Sequence, residues 1–347
     1  MTDTTILDGT VLTGRDFEPI EGRVVVEDGE IAAVEEQPTH GTDIILPAFV
    51  NAHTHIGDSI AKEAGEGLSL EELVAPPDGL KHRLLRAADR EEKVDAIRRS
   101  LQFMEASGTT AFLDFREGGV EGVEALREAA HGLGVDPVIL GREEVEAMER
   151  SDGFGASGAA DGEFSRERNA TAKAGKLFGI HAGEVDPDDI NPALDLDPDF
   201  LVHMVHAGEL HLDRVADSGI PVAVCPRSNL VTGVGVPPIA ELAERTTVAL
   251  GTDNVFLNSP SMFREMEFAA KLADVSARDV LRMATVNGAE IAGLNCGLVE
   301  EGRDADLLVL DGDTDNLAGA ENLVRAVVRR AGVADVSDVL LSGRPSK

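Results

Sequence analysis

Short apolar runs recur along the chain, and through its middle they alternate with longer segments of helical character. Runs at 44–50, 109–115, 137–141, 153–157, 177–181, 200–206, 221–225 and 247–250 have the length and composition of buried strands. Helices are predicted between and after them at 90–107, 121–133, 165–175, 209–218, 238–244, 261–273 and 276–292. Eight strands with interleaved helices is the βα order of a closed parallel barrel, an α/β fold of the (β/α)8 TIM type. The fourth strand gives the faintest signal because Gly and Ala dominate it.

The two ends of the chain read differently. Residues 5–7 run into Asp8-Gly9, and 23–27, Asp28-Gly29 and 30–34 form a hairpin signal. The C-terminal part echoes this with 305–310, Asp311-Gly312 and 336–341. A small β-sandwich assembled from residues 1–45 and 297–347 is therefore expected, interrupted by a barrel over 46–296. Within the barrel, Ser69-Leu70-Glu71-Glu72 is a capping box that starts a short helix, and Pro76-Pro77-Asp78-Gly79 ends it. Residues 56–89 are otherwise expected as a long loop over the barrel mouth, a candidate lid.

A length of 347 residues suits one barrel of roughly 250 residues plus an accessory unit. Hydrophobic residues make up 43%, enough for a sizeable core. Aromatics make up 3%, with no Trp or Tyr, so there is little to stack on nucleic-acid bases. The net charge of −33 repels phosphate backbones and anionic membranes, which argues against both as partners. Acids spread over the whole chain match adaptation to a high-salt interior better than a dedicated acidic docking surface. Cys225 and Cys296 make no disulfide framework, so a reducing cytoplasm is expected. No stretch has the length of a membrane span, and the first residues lack the pattern of a signal peptide.

The chemistry lies at the strand ends. In His53-Thr54-His55 the two imidazoles share one face of a strand and can hold one metal ion. His181, His203, His206 and Asp253 close or follow later strands, the end of a parallel barrel where active sites sit. A lone strand-end histidine is usually packed or exposed without function, but four strands closed this way point to a metal-dependent hydrolase.

Taken in order, these segments resemble the amidohydrolase superfamily. The resemblance covers Leu46-Pro47-Ala48-Phe49-Val50-Asn51-Ala52-His53-Thr54-His55, His181-Ala182-Gly183-Glu184 and His203-Met204-Val205-His206. It continues through Cys225-Pro226-Arg227-Ser228-Asn229, Leu250-Gly251-Thr252-Asp253-Asn254 and Gly302-Arg303-Asp304-Ala305-Asp306-Leu307. The branch it is most similar to holds the mononuclear aminohydrolases: cytosine, guanine and S-adenosylhomocysteine deaminases, with the triazine hydrolases.

That resemblance implies one divalent metal, Zn2+ or Fe2+, on His53, His55, His181 and Asp253. Binuclear relatives would carry a carboxylated Lys at the fourth strand, and this chain has no Lys between Lys93 and Lys173. It also implies that Glu184 and His203 act on substrate and water, and that Asp253 takes a proton as well as holding metal. His206 competes with His203 for its role, and the spacing to Ser228-Asn229 favours His203. Ser228 and Asn229 read as structural supports and Cys225 as inert core. Arg116 and Glu117 are pocket candidates, His82 lies in the lid candidate, and Arg227 either grips substrate or forms a buried charge pair. The implied reaction on its small-molecule substrate is hydrolytic deamination of an aminated heterocycle, a purine, pyrimidine, pterin or related ring, by metal-activated hydroxide with release of ammonia. Hydrolysis of another C–N or C–Cl bond, cyclic amide or lactone is the alternative, and a non-catalytic scaffold the remote one. The family also implies a homodimer or larger homo-oligomer.

Overall fold

The computed structural model describes residues 4–74 and 78–345. Its centre is a run of eight parallel strands, Phe49–His55, Thr109–Arg116, Asp136–Gly141, Gly153–Ala156, Leu177–Ala182, Phe200–His203, Val222–Val224 and Val248–Leu250, each hydrogen-bonded to its neighbours in that order. Every position of the first two is buried, because side chains on one face fill the barrel and those on the other meet the helices. That two-sided burial is why these strands read as continuous apolar runs. The helix Arg90–Ala106 shows the local logic: Asp89 and Glu92 form a capping box, while Ile97, Leu101 and Met104 supply the buried stripe.

The barrel closes just past the eighth strand. Asp253–Asn254 pairs in parallel with Thr54 and His55 of the first, and the Thr252 N–H donates to the His53 carbonyl at 3.0 Å. Asn51 secures the seam, donating to Thr252 Oγ1 at 2.7 Å and accepting from the Thr252 N–H at 3.1 Å. Gly251 lies so close to this seam that a Cβ there would sit 2.7 Å from His53 Cβ and 2.9 Å from its backbone nitrogen.

The two chain ends build one seven-stranded, mainly antiparallel sheet, in the order Arg344–Pro345, Val336–Leu341, Leu307–Asp311, Asp43–Pro47, Thr4–Thr13, Glu18–Glu27, Glu30–Glu36. Alternate residues divide between two apolar layers: Ile44, Leu46, Leu308 and Leu310 join the large core shared with the barrel helices. Ile45, Leu307 and Val309 join a separate cluster with Val24, Val26 and Ile31. The hairpin at Asp28-Gly29 is present, with both residues at positive φ.

Several elements differ from expectation. The run 44–50 is two strands, and residues 46–47, expected in the barrel, pair instead with Leu308 and Leu307 of the terminal sheet. Asp8-Gly9 is no turn but lies inside Thr4–Thr13, where Gly9 passes the Asp43 carbonyl too closely for any Cβ. The strand expected to reach His206 stops at His203, since His203 and Met204 both adopt positive φ. Most of 56–89 is helical rather than loop: a 3-10 turn at Ile56–Ala61 and helices Leu70–Val74 and Leu80–Ala87. Ser69 and Glu72 exchange the hydrogen bonds of a capping box, while Pro76 and Pro77 lie outside the described residues. Among the described residues no helix is long and apolar enough to cross a membrane.

Asp306 sits at the joint between sheet and barrel, its carbonyl accepting from the Ala48 N–H and its Oδ1 from the Ser342 N–H. Burial, with help from Asp304, pushes its carboxyl up to about 6. A raised acid favours folding below its ordinary range, and that contribution is lost as pH rises through about 6. Asp306→Asn keeps the acceptor and removes the buried charge, so it is expected to raise stability at pH 8 by about 2 kcal/mol and by almost nothing at pH 4. Chemical denaturation at the two pH values measures this. Gly251→Ala forces backbone apart at the seam and should cost about 1–3 kcal/mol, read as a lowered Tm by calorimetry.

Candidate metal centre and active site

Three imidazoles and one carboxylate converge inside the barrel mouth. His53 and His55 come from the end of the first strand, His181 from the fifth, and Asp253 from the closing segment. His181 Nε2 lies 3.3 Å from both His53 Nε2 and His55 Nε2. Asp253 Oδ1 lies 3.4 Å from His53 Nε2 and 3.6 Å from His55 Nε2. His203 Nε2 is 3.6 Å from Glu184 Oε2, and His203, His53 and Asp253 form a second overlapping group of close ligand atoms.

The surroundings fix which atoms face inward. His55 Nδ1–H donates to Glu117 Oε1 at 2.7 Å, and His181 Nδ1–H donates to the Ala156 carbonyl at 2.9 Å. Their Nε2 atoms are therefore bare lone pairs turned towards one another. Burial holds the pKa values of His53 and His181 below the usual imidazole range and pushes His55 down to about 3, with Lys81 adding to the effect at His55. Converging lone pairs on neutral imidazoles repel unless a cation lies between them, and three nitrogens plus a carboxylate oxygen is a donor set for a divalent ion of the zinc type. His53, His55, His181 and Asp253 are the residues that would hold it.

The carboxylates divide into two kinds. Burial opposes ionisation of Asp253, yet the hydrogen bond from His53 and the imidazoles of His203 and His55 hold it well below the usual range. Ser228 Oγ–H donates to Asp253 Oδ2 at 2.5 Å and Asn254 Nδ2 to Oδ1 at 2.9 Å. Glu184, by contrast, has its pKa raised by burial. Asn229 Nδ2 donates to His203 Nδ1 at 3.2 Å, which leaves the His203 proton on Nε2, facing Glu184. His203, Met204 and Asp253 all hold positive φ, backbone strain of about 1–3 kcal/mol each, stored where the site needs its side chains aimed.

The remaining candidates fall into place one by one. His206 is exposed and off the cluster, so His203 is the histidine that faces it. Arg227 gives its Nε to Glu265 at 2.5 Å and its Nη2 to the Ser259 carbonyl at 2.7 Å, the buried-pair alternative, and does not line the cavity described next. Arg116, Glu117 and His82 do line that cavity, of about 930 Å³, together with Arg142 and the strand-four residues Phe154 and Gly155. Arg116 also binds the Glu117 carbonyl through Nε, and His82 Nε2–H donates to the Val74 carbonyl at 3.0 Å. Cys225 is buried, its thiol pushed well up by burial.

Two groups escaped the sequence reading. Lys81, 3% exposed, reaches Glu117 Oε1 at 2.7 Å and donates to Asn254 Oδ1 at 3.0 Å. Asp58 is fully buried, with Oδ1 accepting from the Phe256 N–H. Neither carries a spacing signal, since both belong to the segment between the first strand and the second that looked like a loop. Burial opposes charge on Glu117 too, but Lys81, His55 and Arg116 hold it ionised.

Comparison with known proteins agrees with this architecture. The amidohydrolase family model matches residues 44–195 and 196–345. A Methanothermobacter thermautotrophicus protein provisionally described as an aminohydrolase is 37% identical, over 87% of this chain and 90% of its own. A 5-methylthioadenosine/S-adenosylhomocysteine deaminase of Haloarcula marismortui is 29% identical, over 91% and 86%. Among solved structures, an adenosine deaminase from Xanthomonas campestris with bound zinc superposes with a TM-score of 0.81 at 21% identity, covering 98% of this chain and 92% of that one. A guanine deaminase from C. acetobutylicum with bound guanine gives 0.80 at 17% identity, covering 99% and 100%, a likeness of fold. With a family model spanning the whole barrel and the later strands of the terminal sheet, this chain belongs to the amidohydrolase family.

Proposed function

We propose that the protein hydrolytically deaminates an aminated heterocycle, with adenosine-type nucleosides the first class to test. The observation that carries this is Glu184: a partly exposed carboxyl with a raised pKa, 3.6 Å from His203 Nε2 and beside the histidine–aspartate cluster. Amide or lactone hydrolysis has no ring nitrogen that must be protonated before attack, whereas deamination does. The Haloarcula marismortui relative, named a deaminase, supports the same choice.

His53, His55, His181 and Asp253 would hold a divalent ion, zinc in this reading, which would lower the pKa of water towards about 7 and so supply a nucleophile at neutral pH. Everything else falls to the chain's own groups. Ionised Asp253, steadied by Ser228 and Asn254, is the acceptor for the proton of the attacking water. Glu184 gives its proton to the ring nitrogen next to the carbon under attack. His203, its tautomer fixed by Asn229, offers Nε2–H to the oxygen on which negative charge gathers. The proton held by Asp253 then passes by way of the ionised Glu184 to the amine, the C–N bond breaks and ammonia leaves, and the proton left on the attacking oxygen returns to Glu184 as the carbonyl forms. The cavity walled by Arg116, Glu117 and His82 adjoins the cluster through Glu117, which accepts from His55, but His53, His55, His181, Glu184, His203 and Asp253 do not line it.

The charge of −33 fits work in concentrated salt in a cytoplasm, where a homodimer or larger assembly is part of the same reading. Assays therefore belong at high ionic strength. Ammonia release from a panel of aminated purines, pyrimidines and pterins tests the function: ammonia from at least one ring is expected, while chloride or acid released from chloro-triazines or lactones, with no ammonia from any ring, would overturn it. Glu184→Gln should lower kcat by about 10²- to 10⁴-fold with metal content unchanged. Because Glu184 must be protonated, wild-type kcat should fall as pH rises through its raised pKa, and the residual Gln rate should lack that limb.

A further inference from the structure

The helix Leu80–Ala87 covers the barrel mouth and buries one residue, a lysine. An ammonium taken out of water costs several kcal/mol unless it is well paired, and an apolar side chain at this position would avoid that cost. Lys81 is paired on two sides. Its Nζ reaches Glu117 Oε1 at 2.7 Å, the same oxygen that accepts from Nδ1–H of His55 at 2.7 Å. It also donates to Asn254 Oδ1 at 3.0 Å, and the other end of that amide, Nδ2, donates to Asp253 Oδ1 at 2.9 Å.

The direction of these bonds matters. A lysine can only donate, so it fixes the Asn254 amide with oxygen towards the helix and nitrogen towards Asp253. With the amide reversed, its oxygen would face the Asp253 carboxylate. On the other side Lys81 anchors the Glu117 oxygen that accepts from His55, which keeps the His55 Nδ1–H outward and its Nε2 lone pair inward. One ammonium thus orients two of the four candidate metal ligands, from different barrel strands. The helix that carries it is otherwise held by a small apolar cluster in which Ala61, Leu73 and Phe256 are buried and Leu80 and Leu84 pack against them. So small a cluster leaves the segment among the more easily opened parts of the molecule.

We propose that Lys81 is a positioning residue that couples docking of the helix Leu80–Ala87 to metal retention at His55 and Asp253. By linkage, the effect runs both ways: a docked helix strengthens the metal site, and bound metal holds the helix down. The inference rests on the metal reading above.

The test begins with metal content of the wild-type protein, then compares it with Lys81→Met, which keeps the length and removes the charge. Zinc-loaded wild type and variant, both shown folded by circular dichroism, are dialysed against excess chelator and zinc is followed with time. The variant should lose zinc about tenfold faster or more. Hydrogen exchange of residues 80–87 is measured on wild type with and without zinc, and zinc should slow it. This second arm needs no substitution and decides the matter if the variant does not fold. Unchanged zinc loss in the folded variant, or exchange at 80–87 indifferent to zinc, would overturn the coupling while leaving the metal site intact. A wild type that takes up no zinc would overturn both, and is told apart by the first measurement.

Discussion

Three imidazole Nε2 atoms crowded together in the barrel mouth, His181 lying 3.3 Å from both His53 and His55, are the constraint on which the rest of this structure turns. In isolation the arrangement is repulsive. It becomes favourable only with positive charge between the nitrogens, so the fold invests in a geometry whose return comes on metal binding. The barrel seam serves it directly: Asn51 and Gly251 bring the eighth strand against His53, which sets Asp253 beside the first-strand histidines. Glu117 and the Ala156 carbonyl serve it by holding Nδ1 protons outward.

The same region carries the molecule's unfavourable features. His203, Met204 and Asp253 sit in left-handed backbone, and two buried acids near Glu117, Asp58 and the second-strand Asp114, have their pKa values raised by burial, Asp114 to about 6. Such strain persists only where packing over-determines it. Here the supports are the eight-stranded barrel and the terminal sheet, whose inward face shares a core with the barrel helices through Ile44, Leu46, Leu308 and Leu310. The sheet also ties down the entry to the barrel, where the Asp306 carbonyl accepts from the Ala48 N–H.

Much of this was legible in the sequence because burial on both faces writes continuous apolar runs, and strand ends can be counted from them. His53, His55, His181 and Asp253 stood out since each follows such a run. The split at 44–50 was not legible, because a strand buried in the terminal sheet and one buried in the barrel have the same apolar signature. The weak fourth strand has a physical reason: a Cβ on Gly155 would meet the Phe115 ring, which packs edge-on against His53 and His181, and a Cβ on Gly153 would meet the Leu177 carbonyl. Lys81 and Asp58 were invisible, since their burial depends on a helix over the mouth that no apolar period announced. Arg227 could be read either way until Glu265 was seen opposite it.

The central claim is that the cluster is a mononuclear metal site. Elemental analysis of wild type and His181→Ala, both purified in high salt and shown folded by circular dichroism, addresses it most directly. The account predicts about one divalent ion per wild-type chain and its loss from the variant. A wild type with no metal or with two per chain, or a variant that holds metal as the wild type does, would contradict it.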